Sequence, residues 1–341
     1  MKKRRYYYID ILNCVAIFFV LMLHSTQLSF SGNPQSIRTI VCNVIQVICI
    51  PAVYIFFMNS GAMLVNYRTR QTTKTFALKR IKRVLVPFLF WSFLYYLYDL
   101  RFTAAPGPMM RQHPGIKDFV LGLVNNNINN IFWFFYAIMA IYITLPIISL
   151  AAEKHKNYLF FIVVLSFSIN DFANWIGGVL HMKLQSQFFN FTLMTFLPYA
   201  LVGFLIKESF FTRKQENMII TAGLITLVCS IIGVISIGKI TIFTHIGPML
   251  YSTAIYLLIK RLSSTSFLNK EKLKKLFMLA SGCSLSMYVL HVLFYKVFDT
   301  VLRINNTSWI HIFIMPIFVY VFGTLLIYGM RKIKIIRIFM P

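Results

Sequence analysis

Long apolar runs, separated by short polar segments, dominate the chain. A membrane-spanning helix needs roughly 17–25 mainly apolar residues, and ten runs approach or exceed that length. Their alternation with charged turns predicts an all-α integral membrane protein, a bundle of about ten transmembrane helices in a single domain, 1–341. The predicted spans are 9–30, 39–66, 84–102, 131–150, 159–180, 191–206, 217–238, 244–260, 276–298 and 309–330.

The composition agrees with a membrane protein. Of 341 residues, 58% are hydrophobic and only 13% are charged, and the mean hydropathy is +0.71. In a soluble domain, roughly a quarter of all residues are charged. The basic N-terminus before the first apolar run could belong to a signal peptide. That run continues past His24 without a small-residue cleavage site, so we expect a retained first span.

The distribution of basic residues predicts the orientation of the spans. The net charge is +25, from 34 Lys and Arg against 9 Asp and Glu. If the N-terminus is cytoplasmic, 26 of the 34 cations lie in the two tails and the cytoplasmic turns, which is the asymmetry that the positive-inside rule describes. We therefore predict that both termini are cytoplasmic in a multi-pass protein of the cell membrane. Because the cations follow the topology in this way, nucleic acid is not an expected partner.

Two histidines lie deep within predicted spans, where an ionisable side chain is costly and is taken as functional by default. His24 and His291 are each about fifteen residues from the cytoplasmic start of their spans, or roughly 22 Å at 1.5 Å per residue. This spacing predicts that they share one depth, in the outer half of the membrane. The other five lie in loops or near span ends, where we expect them to be solvated: His113, His155, His181, His245 and His311.

Polar residues accompany both deep histidines. Asp10 and Asn13 precede the first at approximately helical spacing, while Ser284 and Tyr288 share a face of the ninth span with the second. For Ser284 and Ser286, hydrogen bonding between helices is an equally good interpretation. Neither the histidines nor the five cysteines have the spacing of metal ligands, so we expect no metal.

A basic segment precedes the third span. It contains Lys79, Arg80, Lys82 and Arg83, and Pro87 follows within the span. One interpretation is an ordinary anchor on the cytoplasmic side. The other is a phosphate-binding site at a cytoplasmic opening, for which the guanidinium fork of Arg is well suited. Composition alone leaves both open.

Several motifs, in this order, resemble those of the acyltransferase 3 family, membrane enzymes that are mostly bacterial and O-acylate cell-surface glycans. The similarity extends over nearly the whole chain, and its specificity comes from the order and spacing of loose blocks. The blocks are the first-helix segment from Tyr8 to His24, Phe56–Leu64 with its Ser-Gly pair, Lys79–Pro87, Ile131–Pro146 with its Trp-Phe pair, Leu197–Gly203, and Ser284–His291 with its Ser-Tyr-His pattern.

The resemblance implies transfer of an acyl group, usually acetyl, from cytoplasmic acyl-CoA to a hydroxyl of an exported glycan. His24 would be the general base or an acyl carrier, and Ser284, Tyr288 or His291 would orient it or stabilise the oxyanion. Cofactor contacts would come from Lys79, Arg80 and Arg83, with Asp10 and Asn13 as further candidates. The implied partners are acyl-CoA, the glycan and the lipids of a bacterial inner or plasma membrane, and a homo-oligomer is left open.

The chain departs from the family pattern at Asn13, where the family commonly has an Arg eleven residues before the first-helix histidine. Another basic residue in its place, a divergent branch and a loss of activity are three explanations. Two other classes of function also account for the pattern of spans. One is a transporter of glycans or lipid-linked sugars, and the other is a membrane subunit without catalytic activity.

Overall fold

The computed structural model describes residues 5–101, 111, 113–180, 192–240 and 247–340. Within these ranges the chain forms helices and connecting turns and no β-strand, as predicted. The α-helices of eight or more residues are α1 (Tyr7–Ser25), α2 (Ile37–Cys49), α3 (Pro51–Leu64), α4 (Thr73–Arg80), α5 (Val86–Arg101), α6 (Ile116–Val124), α7 (Trp133–Ala151), α8 (Lys156–Ser166), α9 (Thr192–Lys207), α10 (Arg213–Ile237), α11 (Pro248–Leu262), α12 (Glu271–Leu302) and α13 (Met315–Met330).

Seven helical stretches in the described ranges are long and apolar enough to cross a membrane, and each overlaps a predicted span. The other three predicted spans contain the shorter helices α5, α9 and α11. A total of ten spans and cytoplasmic termini therefore stay predictions. The seven stretches are Tyr7–Ser31, Ile37–Thr69, Asn130–Ala151, Lys156–Gly177, Arg213–Ile237, Glu271–Leu302 and Ile310–Met330.

The exposed face of α10 shows why these helices need a membrane. Ile225, Val228, Ile232 and Ile235 are all more than half exposed and follow one another at intervals of three or four residues. Residues at that spacing form one stripe along a helix. In water such a stripe would be an apolar surface of unusual size, whereas acyl chains cover it without cost.

The chain folds as two compact units. The first unit comprises Met1–Thr69 and Thr144–Gly282, and the second comprises Arg70–Ile143 and Cys283–Pro341. Each unit is thus built from two separate stretches of the sequence, and each has its own buried core.

The first unit is centred on two helices that approach each other at glycines. Gly61 of α3 faces the backbone of Ala200 in α9, and Gly203 of α9 faces the backbone of Met58 in α3. A side chain at either glycine would overlap that backbone, so only glycine permits this approach. Small residues at helix contacts let membrane helices pack closely, because dispersion forces rather than water exclusion drive their association.

Ion pairs hold one end of the first unit together. Glu208, just beyond α9, pairs with Lys207 at 2.8 Å and with Lys156 of α8 at 3.3 Å. The amide of Asn66 donates a hydrogen bond to the same carboxylate at 3.3 Å. Burial raises the pKa of Glu208, but the two lysines outweigh burial and lower it below the usual value. The carboxylate therefore stays charged and links three segments.

The second unit has an aromatic core. Phe88 of α5 packs against Phe132 and Phe135, with ring centroids 5.7 and 5.4 Å apart. Near the C-terminus, the ring of Phe339 stacks on Phe90, and the indole of Trp91 donates to the Phe339 carbonyl at 2.9 Å. These contacts attach the end of the chain to α5.

Two helices of the second unit begin with a π-helical segment that precedes a proline. The segment Ile81–Leu85 comes before Pro87, and the segment Ile310–Ile314 comes before Pro316. Proline has no N–H, so it cannot bond to the carbonyl four residues earlier, and the helix widens locally. At the first segment this places Lys82 and Arg83 on a wide turn, directly after Lys79 and Arg80 at the end of α4.

Candidate functional site

His24 lies in the last turn of α1, in the first unit, and its side chain is half-buried. The α-helix is interrupted after Ser25 and resumes at Leu28–Ser31, so the helical stretch agrees with the predicted span 9–30. Gln46 of α2 explains the interruption, because its amide donates to the Leu23 carbonyl at 2.7 Å and to the Thr26 hydroxyl at 2.9 Å. These bonds satisfy groups that a helix end leaves open and fix the position from which His24 projects.

Asn13 connects three helices of the first unit. Its amide nitrogen donates to the Ser281 hydroxyl of α12 at 3.1 Å, and its amide oxygen accepts from the Asn59 amide of α3 at 2.9 Å. Such a chain of polar groups joins helices where no water competes. Asn59 and Ser281 were not predicted as its partners, since they are distant in sequence.

Asp10 is engaged by a cation near its own helix. Arg5 donates to both carboxylate oxygens of Asp10 at 2.7 Å and to the Met278 carbonyl of α12 at 3.1 Å. A bidentate Arg–carboxylate pair of this kind is among the stronger polar contacts in proteins. In the first unit Arg5 thus links Asp10 of α1 to the backbone of α12, and the role of Asp10 toward a cofactor stays a prediction.

The predicted residues on the second half of α12 belong to the second unit. Ser284, Tyr288 and His291 are all buried. The Tyr288 hydroxyl donates to the Ile131 carbonyl at 2.7 Å. In this arrangement its proton is not directed at an oxyanion. The Nδ1 atom of His291 lies 2.7 Å from the Tyr288 carbonyl. Because a carbonyl only accepts, Nδ1 carries the hydrogen and Nε2 is the basic nitrogen. His24 lies in the other unit, and the common depth of the two histidines stays a prediction.

The structure divides the basic segment of the second unit into inward and outward side chains. Arg80 is half-buried, with its guanidinium 5.7 Å from the Phe76 ring centroid and 5.5 Å from that of Tyr142. Its Nε is buried and makes no hydrogen bond within the described part of the chain. Lys79 and Arg83 are exposed, and Lys79 donates to the Gln71 side chain at 2.5 Å.

One histidine, His311, is buried where the sequence predicted solvent exposure. His311 is 5% exposed, and its Nδ1 lies 2.9 Å from a carboxylate oxygen of Asp299. The expectation that it is solvated was wrong, because Asp299 and Tyr295 of α12 lie against its ring. His113 and His155 are exposed, as predicted. His181 and His245 lie outside the described residues. Among the residues described, no group of three or more His, Cys, Asp or Glu side chains could hold a metal ion.

The apolar helices, with polar and ionisable side chains buried among them, define a multi-pass membrane protein. The family model of the acyltransferase 3 acyltransferase domain matches residues 6–329, nearly the whole chain. The chain belongs to this family, which confirms the resemblance seen in its motifs. Comparison with curated proteins gives no match, and comparison with solved structures gives none either.

Proposed function

We propose that the protein transfers an acyl group, acetyl in the simplest case, from cytoplasmic acyl-CoA to a hydroxyl of an exported surface glycan. Membership of an acyltransferase family supports acyl transfer in general. The donor is inferred from the basic segment and the acceptor from the predicted outward depth of His24. In the proposed orientation the basic segment faces the cytoplasm, the side on which acyl-CoA is present.

One observation carries the assignment of the donor. Lys79, Arg80, Lys82 and Arg83 form no ion pair within the described residues. Elsewhere in those residues cations such as Arg5, Arg111 and Arg261 are paired with carboxylates. A cluster of four cations that has no counter-ion in the described part of the chain, and in which the buried Nε of Arg80 makes no hydrogen bond there, suits an anion with several phosphates. The phosphates and diphosphate of CoA have that chemistry.

His24 supplies the chemistry of the transfer in this proposal. Its neutral imidazole accepts the proton of the acceptor hydroxyl while the oxygen attacks the thioester carbonyl. A C–O bond forms, the C–S bond breaks, and the proton passes to the departing sulfur, so that CoA leaves as the free thiol. Gln46 acts on this step as a positioning residue, because it fixes the end of α1.

The overall reaction is tested by mass spectrometry of surface glycans from cells with and without the gene. We expect a loss of mass that corresponds to one acyl group per modified sugar. Unchanged glycan mass together with a loss of glycan from the surface would instead indicate a transporter. Glycan of unchanged mass and amount would contradict both functions.

The phosphate site is tested by Arg80→Ala, for which we expect the KM for acyl-CoA to rise roughly tenfold to a hundredfold. One hydrogen bond to a charged group contributes about 1.5–3 kcal/mol, and a tenfold change corresponds to about 1.4 kcal/mol. Arg83→Ala should have a smaller effect, since its exposed side chain is screened by water and salt. Lys272→Ala, at an exposed lysine near the start of α12, removes the same charge and serves as the control. Equal KM values in all three variants would favour the anchor interpretation.

A further inference from the structure

The second unit has another polar cluster, at the opposite end of α5 from the basic segment. It consists of Tyr96 and Asp99 near the end of α5, Arg111 in the connection between α5 and α6, Asp118 in the first turn of α6, and Lys296 of α12. We call it the Asp99 cluster. Asp99 is sixteen residues after Arg83, or roughly 24 Å along a helix. In the proposed orientation the cluster is therefore on the outer side of the membrane.

Asp99 is the unusual member of the cluster. It is 1% exposed, and neither carboxylate oxygen accepts a hydrogen bond within the described residues. The nearest cation atom is Nη2 of Arg111 at 3.9 Å, too far for a hydrogen bond, and Lys296 is close enough to act on it electrostatically. A buried carboxylate without hydrogen-bond donors is costly, and nearly all buried polar groups in proteins have a partner. The missing donors can come from a ligand.

The remaining members of the cluster are already held in place. Arg111 donates to Asp118 at 3.1 Å and to the Asn127 carbonyl at 3.0 Å, and its guanidinium lies 4.5 Å from the Tyr96 ring centroid. The Tyr96 hydroxyl lies 2.9 Å from Asp118 and accepts from the Gly115 N–H at 2.9 Å. A structural role therefore accounts for Arg111, Asp118 and Tyr96, but among the described residues it leaves the Asp99 carboxylate without donors.

The chemistry of the cluster selects the class of ligand. An anion without protons brings no hydrogen-bond donors to Asp99, and the described residues offer no set of three ligands for a metal ion. A neutral ligand with several hydroxyls can donate to both oxygens of Asp99 and accept from Lys296, which is half-buried. The side chain of Asp118 is 35% exposed, so the cluster extends to the surface. Vicinal hydroxyls of a sugar match the two oxygens of a carboxylate.

We propose that the Asp99 cluster binds a neutral carbohydrate, as the site that holds the acceptor glycan on the outer side. The identity of the bound sugar as acceptor rests on the proposed function, while the binding itself does not. Asp99 accepts hydrogen bonds from two adjacent hydroxyls, and Lys296 donates to a ring or hydroxyl oxygen. Arg111, Tyr96 and Asp118 hold one another and do not contact the sugar.

Binding is tested on the full chain in detergent by saturation-transfer NMR with maltotetraose, cellotetraose and chitotetraose as probes. We expect saturation transfer to at least one probe, and about a tenfold weaker Kd in Asp99→Asn, which keeps the shape but loses charge-assisted bonds. Glu153→Gln, at an exposed position, changes the charge equally and should bind as the wild type does. No transfer to any probe, or equal transfer in Asp99→Asn, would overturn the proposal.

A kinetic readout separates this proposal from the proposed function. In Asp99→Asn the KM for the acceptor glycan should rise about tenfold, with an unchanged KM for acyl-CoA. A lower melting temperature with both KM values unchanged would show a merely structural role and overturn the site. If the wild type binds a probe through Asp99 but transfers no acyl group, the proposed function fails and the carbohydrate site stands.

Discussion

We expect that replacing His24 by Ala strongly reduces acyl transfer while the protein still folds. We expect kcat/KM to fall by roughly 100- to 10,000-fold, the usual contribution of a general acid or base. The fold should be kept, because the contacts that end α1 use other groups: Gln46 bonds to the Leu23 carbonyl and to the Thr26 hydroxyl. The measurement is release of CoA thiol by purified protein with acceptor glycan, together with the melting temperature.

The control for this variant is His113→Ala. His113 is exposed in the connection after α5, so its loss should leave both rate and melting temperature unchanged. Full activity of His24→Ala would disprove the assignment of His24. A large fall in its melting temperature would mean that the histidine acts through the fold.

The same pair of variants distinguishes a base from an acyl carrier. If His24 carries the acyl group, wild-type protein incubated with acyl-CoA in the absence of acceptor gains the mass of one acyl group, and His24→Ala does not. If His24 is only a base, neither protein gains mass, and CoA release depends on the acceptor. Rapid mixing followed at once by native intact-protein mass spectrometry near neutral pH measures this, because an acyl-imidazole hydrolyses quickly in acid.

Gly61→Ala should prevent the first unit from packing. The new Cβ would overlap the backbone of Ala200, and a backbone, unlike a side chain, cannot rotate away. Overpacking a well-filled core costs about 1–3 kcal/mol and occasionally more, and we expect the upper end of that range because α3 and α9 must separate. The yield of folded protein and its melting temperature in detergent report the effect.

Gly329→Ala is the matched control within the chain. Gly329 lies in α13, and a Cβ there would meet nothing within 4 Å. Alanine is favoured over glycine in a helix interior by about 1 kcal/mol, so this variant should be as stable as the wild type or slightly more stable. If Gly61→Ala were equally well tolerated, the close approach of α3 and α9 would not be needed for folding.

The sequence predicted helices well and helix ends less well. Apolar run length follows directly from the thickness of a membrane, so the runs that became α1, α10 and α12 could be recognised without neighbours. The interruption after Ser25 could not, because Gln46, which bonds to the Leu23 carbonyl and the Thr26 hydroxyl there, is in a different span. The same holds for His311, whose neighbours Asp299 and Tyr295 come from α12.

By itself the sequence determined that the protein is an all-α membrane protein and a member of the acyltransferase 3 family. Both conclusions follow from the linear chain, because the length of an apolar run and the order of motifs can be read without knowing which residues meet in the fold. Only the tertiary structure decided which polar residues have partners: Asp10 with Arg5, Asn13 with Asn59, and Asp99 with no hydrogen-bond donor among the described residues. Asn59 is distant from Asn13 in sequence, and even Arg5 becomes a partner only when the chain is folded. Whether a buried polar group is satisfied depends on distances that only the packed helices set.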